Sequence, residues 1–559
     1  MKDRSLHSLK DKRQITFNDT KLISSLSPLR GPRKIFDFWG ALVGGVGGGH
    51  LMKTTVFLTG ATGTMGWAGM QEILRYPEQY HLRILARPSA KNKEKLAPYA
   101  DRVEIIWGDL TRYDDVLRGV TGADIVLHVG GMVSPQADYR PRATRKTNIA
   151  AAEYVRDAVL AQPEEKQPKV VYIGSVAQMG DRREPLHWGR AGDPICVSAY
   201  DHYGLTKAMG ERIITGSPIK RWVSLRQSGI LYPAILNNYD PIMFHVPIRG
   251  VLEWATVEDS GRLLERVCRP EVPEEFWKNY YNIGSGKDYR ISNYEFESLL
   301  MEAIGCPRPE QIFEPKWFTT RNFHGMWYVD GDRLENYLHF RANIPIRDYF
   351  RQLAQSDSIP SLIKFASKTK IAKLFPHCVK LAMYAMACSE EHGTQWWIKH
   401  NVTPRIHAYY GSLEAYRAIP DWKHFDTSRP SDTIVRLDHG YDEQKPQALF
   451  TIEDMQRAAA FRGGKCLSES MVQGDWDTPL EWECAEGHRF TASPRLILLG
   501  GHWCPECMPY PYADEPNPRP WHWDKIAREN PFFAQLWAPL HEPDEDNIYG
   551  PEVFNGWEK

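Results

Sequence analysis

Cysteine is scarce in this chain, nine residues in 559, too few to staple a disulfide scaffold. An excess of one charge is missing as well. Lys+Arg 69 against Asp+Glu 70 leaves a net −1, so no whole-chain field draws a polyanion, which argues against a dedicated nucleic-acid coat protein. No run of 18 apolar residues occurs, and a conventional transmembrane helix needs about that many. What is present is the usual soluble mixture, 42% hydrophobic and 25% charged. At roughly 150 residues per domain the length allows three or four units. The expectation is a multidomain protein of the cytoplasm.

Composition shifts divide the chain. Residues 1–51 carry scattered Lys and Arg without apolar periodicity and end in a glycine run, Gly44 to Gly49. They read as a disordered tail, with Met52 as a candidate true start because Met52-Lys53 leads straight into a strand. The parts expected beyond it are an α/β domain over 52–340, a helical or irregular connector over 341–454, a zinc-binding module over 455–510 and a Trp/Pro-rich acidic tail over 511–559.

Thr55–Thr59 is an apolar, β-branched run that reads as a buried strand, and Gly60-Ala-Thr62-Gly63-Thr-Met65-Gly66 then opens a helical stretch. A strand feeding a helix this way leaves free N–H groups at the helix start, where a pyrophosphate binds, and the glycines let the backbone approach it. After the second strand, Leu82–Ala86, stands Arg87, followed by Ser89, Lys91 and Lys93. An NAD site ends that strand in an acidic residue; a guanidinium there suits the 2′-phosphate of NADP(H), which is favoured over NAD(H). Further strands end in Gly108-Asp109-Leu110, Gly130-Gly131 and Gly174-Ser175. Strands alternating with helical segments predict a Rossmann-type, doubly wound parallel sheet with a small α/β substrate subdomain.

Ser175 lies at the carboxyl end of a strand, where ligands of such sheets bind. Downstream, Tyr203-Gly-Leu-Thr-Lys207 puts a phenol and an ammonium on one helix face at i and i+4. Such a pair suits proton exchange with a hydroxyl or carbonyl oxygen, the lysine lowering the tyrosine pKa. In this order the motifs resemble the extended (atypical) short-chain dehydrogenase/reductase family over residues 53–340. The resemblance implies cofactor contacts at Gly60, Thr62, Gly63, Met65, Gly66, Arg87, Asp109, Leu110, Tyr203 and Lys207. It implies a catalytic set of Ser175, Tyr203, Lys207 and Asn148, the last holding the lysine through water, and it matches Arg226 to a segment near the substrate. It also makes plausible a homodimer through helices like the one bearing Tyr203.

The expected activity is NAD(P)-dependent interconversion of a hydroxyl and a keto group on a small, apolar, sterol- or lipid-like molecule. A sugar-nucleotide epimerase or dehydratase is the alternative, and an NADP(H)-sensing binding protein the second, disfavoured because Tyr203 and Lys207 are both present. The segment from Gln178 to Ala199 is expected to form a lid or pocket rim. Residues 361–387 mix lysines with apolar positions, a pattern compatible with peripheral membrane contact. Finally, Cys484-x₃-His488 and Cys504-x₂-Cys507 present four ligands for a structural zinc ion in a module resembling a bacterial zinc ribbon or treble clef. Its acidic, Trp-rich flanks fit a protein partner; no nucleic acid is expected.

Overall fold

The β-branched run at the first glycine turn forms strand β1 (Thr54–Thr59), the centre of a seven-stranded parallel sheet. Its other strands are β2 (Tyr80–Ala86), β3 (Glu104–Trp107), β4 (Ile125–His128), β5 (Lys169–Ser175), β6 (Trp222–Gln227) and β7 (Asn279–Ile283), in the order β7-β6-β5-β4-β1-β2-β3. The computed structural model describes residues 53–237, 239–357, 359–510 and 519–551. The expectations for residues 1–51 and for Met52 lie outside them.

Alternation along each strand builds a core on each face of the sheet. Val56 and Leu58 pack on one side with Ile84, Leu127, Val171 and Leu225, whereas Phe57 packs on the other with Val126, Val170 and Tyr172. The strand order reverses between β1 and β4, whose paired residues run from Val56↔Ile125 to Thr59↔His128. This switch point is where doubly wound sheets bind ligands, beyond the carboxyl ends of the strands. Five helices flank the sheet or its cavity: α1 (Thr64–Ile73), α2 (Tyr113–Val120), α3 (Pro141–Leu160), α4 (His202–Thr215) and α5 (Val257–Arg266).

The C-terminal third is not strung out behind this domain. Met383 and Ala387 share a core with Phe244, Phe313 and Trp317, and Trp521, Trp523 and Tyr549 share one with Val197, Tyr200 and Leu205. The boundaries drawn at 340, 454 and 510 are thus crossed by common cores. Composition marked 511–559 as a tail, but its described part, 519–551, folds onto the catalytic domain because its Trp side chains find apolar partners there. The zinc-ligand region is a three-stranded antiparallel sheet of β8 (Lys465–Cys466), β9 (Leu480–Glu483) and β10 (Arg489–Ala492).

Candidate active site

At the switch point the glycine turn is tight for reasons of space. Gly60 has φ +74, and a Cβ there would lie 2.7 Å from Gly130 Cα; one on Gly66 would lie 2.2 Å from Gly60 O. Gly63, by contrast, meets only Gly60 O at 3.3 Å, and it caps α1 with no side-chain hydrogen bond. The first N–H groups of α1 therefore point into a cavity of about 1250 Å³, which is the cradle a pyrophosphate requires. Gly130 is held to glycine as well: a Cβ there would lie 2.6 Å from Leu110 Cδ1.

The adenosine end of the cavity is basic. Arg87, Ser89, Lys91 and Lys95 line it along with Asp109 and Leu110. Lys95 donates to Thr62 O at 3.0 Å and stands 4.0 Å from the Trp67 ring. Its ammonium is held below the ordinary lysine range, by burial first and then by repulsion from Lys91. A phosphate dianion bound here would relieve that repulsion. Asp109 is oriented by its own loop, accepting from Thr111 N at 2.9 Å and from Thr111 Oγ1 at 2.8 Å.

Ser175, Tyr203 and Lys207 meet on the cavity wall. Ser175 ends β5, and its hydroxyl also accepts from Ala177 N at 3.2 Å. The Ser175 side chain bears on the Tyr203 hydroxyl and favours its ionised form. Even so, burial pushes the Tyr203 hydroxyl up to about 12, with Asp201 and Asp138 adding to the rise. The expected lowering by Lys207 plays no part: burial dominates, and Asp201 and Asp138 act in the same direction. Lys207 is pushed down to about 8 by burial, against the attraction of Glu211. Asn148 donates to Thr206 Oγ1 and Met132 O, at 3.0 and 2.9 Å, and accepts from Met132 N at 2.7 Å. Its bonds thus tie the turn after β4 to the residue preceding Lys207.

The lysine implies a pH dependence. Where its ammonium grips a bound ribose, its pKa is higher in the complex than in the free protein. Affinity for a nicotinamide dinucleotide is therefore expected to be flat below pH about 8 and to fall above it. Titrations by nucleotide fluorescence between pH 7 and 9.5 check this, and Lys207→Met should bind more weakly with a flat profile.

Sequence reasoning missed part of the cavity lining. Asp138 and Tyr139, Asp201, His324, and Arg405 and Tyr409 come from widely separated segments. Asp201 caps α4, accepting from Gly204 N at 2.6 Å, and meets His324 Nδ1 at 3.0 Å. Burial and the nearby Asp201 push the Asp138 carboxyl up to about 8. Arg405 lies over the Tyr200 ring at 4.1 Å, and burial keeps His245 and His392 neutral, near 3 and 4. The one legible signal was Arg405 and Tyr409 at i and i+4 on the helix Thr403–Tyr410.

Two expectations change. The segment Gln178–Ala199 is largely buried rather than a lid. Arg182 pairs with Asp193 at 2.8 Å inside the protein, and Asp193 meets His439 Nε2 at 2.8 Å. Arg226 is fully buried and structural rather than substrate-facing: it forms a two-pronged pair with Glu211 on α4 and donates to Gly500 O at 2.6 Å.

The cysteine module is attached at this point. His502 Nε2 meets Glu211 Oε1 at 2.8 Å, and Arg212 donates to Trp503 O at 2.6 Å. The helix bearing Tyr203, expected to offer a dimer face, is thus covered by the chain's own C-terminal residues. Beside this joint, Cys484, His488, Cys504 and Cys507 converge. Sulfur to His488 Nδ1 distances are 3.5, 3.7 and 3.6 Å, and Cys484 to Cys507 is 3.9 Å. A tetrahedral zinc site with ordinary bond lengths spaces S and N by about 3.5 Å and S and S by about 3.8 Å. The four donors fit zinc. Cys466 lies apart from them, in an apolar cluster with Met455 and Trp476.

Residues 57–226 match the 3-beta hydroxysteroid dehydrogenase/isomerase family. Among curated proteins the chain is similar to 3 beta-hydroxysteroid dehydrogenase type 7 of Mus musculus, 26% identical over 29% of this chain and 44% of that one. The type 7 protein of Homo sapiens is 25% identical over 32% of this chain and 50% of that one. The chain thus spans about half the length of the curated relatives it matches. Among solved structures, dTDP-glucose 4,6-dehydratase of Bacillus anthracis str. Ames in complex with NAD is 12% identical with TM-score 0.42, over 58% of this chain and 99% of that one.

Proposed function

We propose that the chain is an NADP(H)-dependent oxidoreductase of the extended short-chain dehydrogenase/reductase type that interconverts a hydroxyl and a keto group, a reading supported by the match of residues 57–226 to the 3-beta hydroxysteroid dehydrogenase/isomerase family. The observation that carries the reading is the convergence of Ser175, Tyr203 and Lys207 on the wall of the cavity that also contains the glycine turn. In the reductive direction Tyr203 gives its proton to the substrate oxygen, while Ser175 donates a hydrogen bond to that same oxygen. Lys207 holds the nicotinamide ribose, and the α1 N-terminus with Gly60, Gly63 and Gly66 holds the pyrophosphate. The nicotinamide, when bound, supplies or accepts the hydride. A tyrosine with a pKa near 12 is a proton donor in the resting site, which suits reduction at neutral pH.

NADP(H) is preferred in this reading because Arg87, Ser89, Lys91 and Lys95 surround the adenosine end. Arg87→Ala is expected to weaken NADPH by roughly ten-fold or more, a charge-assisted bond's worth, and to leave NADH nearly unchanged. Parallel titrations of both nucleotides check this; equal losses for both would remove the assignment.

The substrate we favour has an apolar, sterol- or lipid-like body, which Met132, Val133, Ile230 and Ile242 would face. The alternative, a sugar-nucleotide epimerase or dehydratase, is favoured by the polar set of Asp138, Asp201, His324 and Arg405 lining the same cavity. Denaturing the purified protein and identifying any released nucleotide separates them. A retained, oxidised cofactor supports the alternative; a freely exchanging NADPH site followed by turnover of hydroxysteroids or lipid ketones supports the first.

A structural zinc ion at Cys484, His488, Cys504 and Cys507 completes the proposal. Four protein ligands leave no open position for catalysis.

A further inference from the structure

Between Asp357 and Glu390 the chain carries no acidic residue and five lysines, Lys364, Lys368, Lys370, Lys373 and Lys380. This stretch forms three successive helical segments, Ser361–Thr369, Ile371–Leu374 and Pro376–Ala387. On them Phe365, Ile371, Leu374, Phe375, Leu381 and Tyr384 are each between 42% and 74% exposed. These six are nearly half of the thirteen exposed large hydrophobic side chains among the described residues. Single exposed apolar side chains need no explanation, but a contiguous group does.

The patch is fixed on its inner side. Met383 and Ala387 are buried against Phe244, Phe313 and Trp317, so the last segment shows one face to the core and the other to solvent. Lys364 reaches Asp357 at 3.3 Å and Lys380 pairs with Glu314. For Lys368, Lys370 and Lys373 the described residues provide no carboxylate partner. Pro376–Ala387 also packs on Pro241–His245, whose Ile242 and His245 line the catalytic cavity.

We propose that residues 361–387 dock the protein onto an anionic lipid bilayer, with Phe365, Leu374, Phe375 and Leu381 in the acyl boundary and the lysines among the headgroups. Both terms of interfacial adsorption are then met, buried apolar area and attraction to anionic lipid. A second copy of the chain is a poor occupant, because it would set five lysines against five. No described helix is long and apolar enough to cross a membrane, so the contact lies in the plane of the surface. The inference rests on the patch alone, whatever the enzyme acts on.

The test is flotation or co-sedimentation of the full-length protein with vesicles of phosphatidylcholine alone and of phosphatidylcholine with phosphatidylserine in roughly a three-to-one ratio. Binding is expected to the anionic vesicles only and to weaken steeply with salt. Leu374→Glu with Phe375→Glu, and separately Lys368→Glu with Lys370→Glu and Lys373→Glu, should each lower partitioning by about ten-fold or more. Because these side chains are exposed, both variants should keep the wild-type melting temperature and NADPH affinity, which separates lost docking from lost folding. Equal recovery in the supernatant with and without phosphatidylserine would overturn the proposal. So would lipid-independent self-association abolished by the same variants, since that would make the patch a protein interface.

Discussion

Tyr203→Phe is expected to abolish turnover while NADPH still binds within about two-fold of wild type. The substitution removes one oxygen and keeps the ring, so packing on α4 changes little. The loss is that of the proton donor, a contribution of about 10²–10⁴ in rate for positioned acid–base groups. The Ser175 hydroxyl stays oriented by the Ala177 N–H. Steady-state rates paired with nucleotide binding check the prediction. A variant with wild-type turnover would mean that another group moves the proton. Asp138, pushed up to about 8 and set among the same carboxylates, would be the next to examine.

Loss of the zinc site should be nearly as severe. Cys504→Ser, or prolonged chelation, is expected to remove about one zinc per chain, the number that a single four-ligand cluster holds. The consequence is expected to reach the active site through Gly500–Trp503. There His502 meets Glu211, Gly500 O accepts from Arg226, and Trp503 O accepts from Arg212. Glu211 lies one turn beyond Lys207 on α4 and holds its proton electrostatically. Breaking one member of such a buried charged set costs about 3–5 kcal/mol, and disturbed supporting contacts typically cost 10–100-fold in activity. The expected result is a lower melting temperature together with weakened NADPH binding. Metal analysis, thermal melts and nucleotide titration on the same sample check it. A zinc-free protein with unchanged melting temperature and NADPH affinity would reduce the module to an appendage.

Much of the fold could be read from local pattern. A β-branched run, a Gly60-x-x-Gly63-x-x-Gly66 turn and the i, i+4 pair Tyr203 and Lys207 each depend on near neighbours in the chain. The convergence of Cys484, His488, Cys504 and Cys507 was legible for the same reason, since each pair sits within a few residues. What escaped depends on long-range packing. Nothing local to Arg405 or Tyr409 says that the helix Thr403–Tyr410 returns to wall the cavity. Nor does the charge of Gln178–Ala199 reveal that Asp193 meets both Arg182 and His439 inside. Arg226 misled in a different way: its motif context pointed to substrate, while its partner Glu211 continues the stripe of Tyr203 and Lys207 at the next i+4 position. The Tyr203 pKa turns on enclosure and on Asp138 and Asp201, and distance along the chain conceals Asp138 as a neighbour.

Everything proposed for the catalytic cavity depends on its holding a phosphorylated nicotinamide dinucleotide beside Ser175, Tyr203 and Lys207. Calorimetric titration of the purified full-length protein with NADPH and, separately, NADH tests that directly. One NADPH site per chain is expected, bound more tightly than NADH, with that preference lost in Arg87→Ala. Absence of heat or saturation with either nucleotide, in protein shown to be free of retained cofactor, would contradict it.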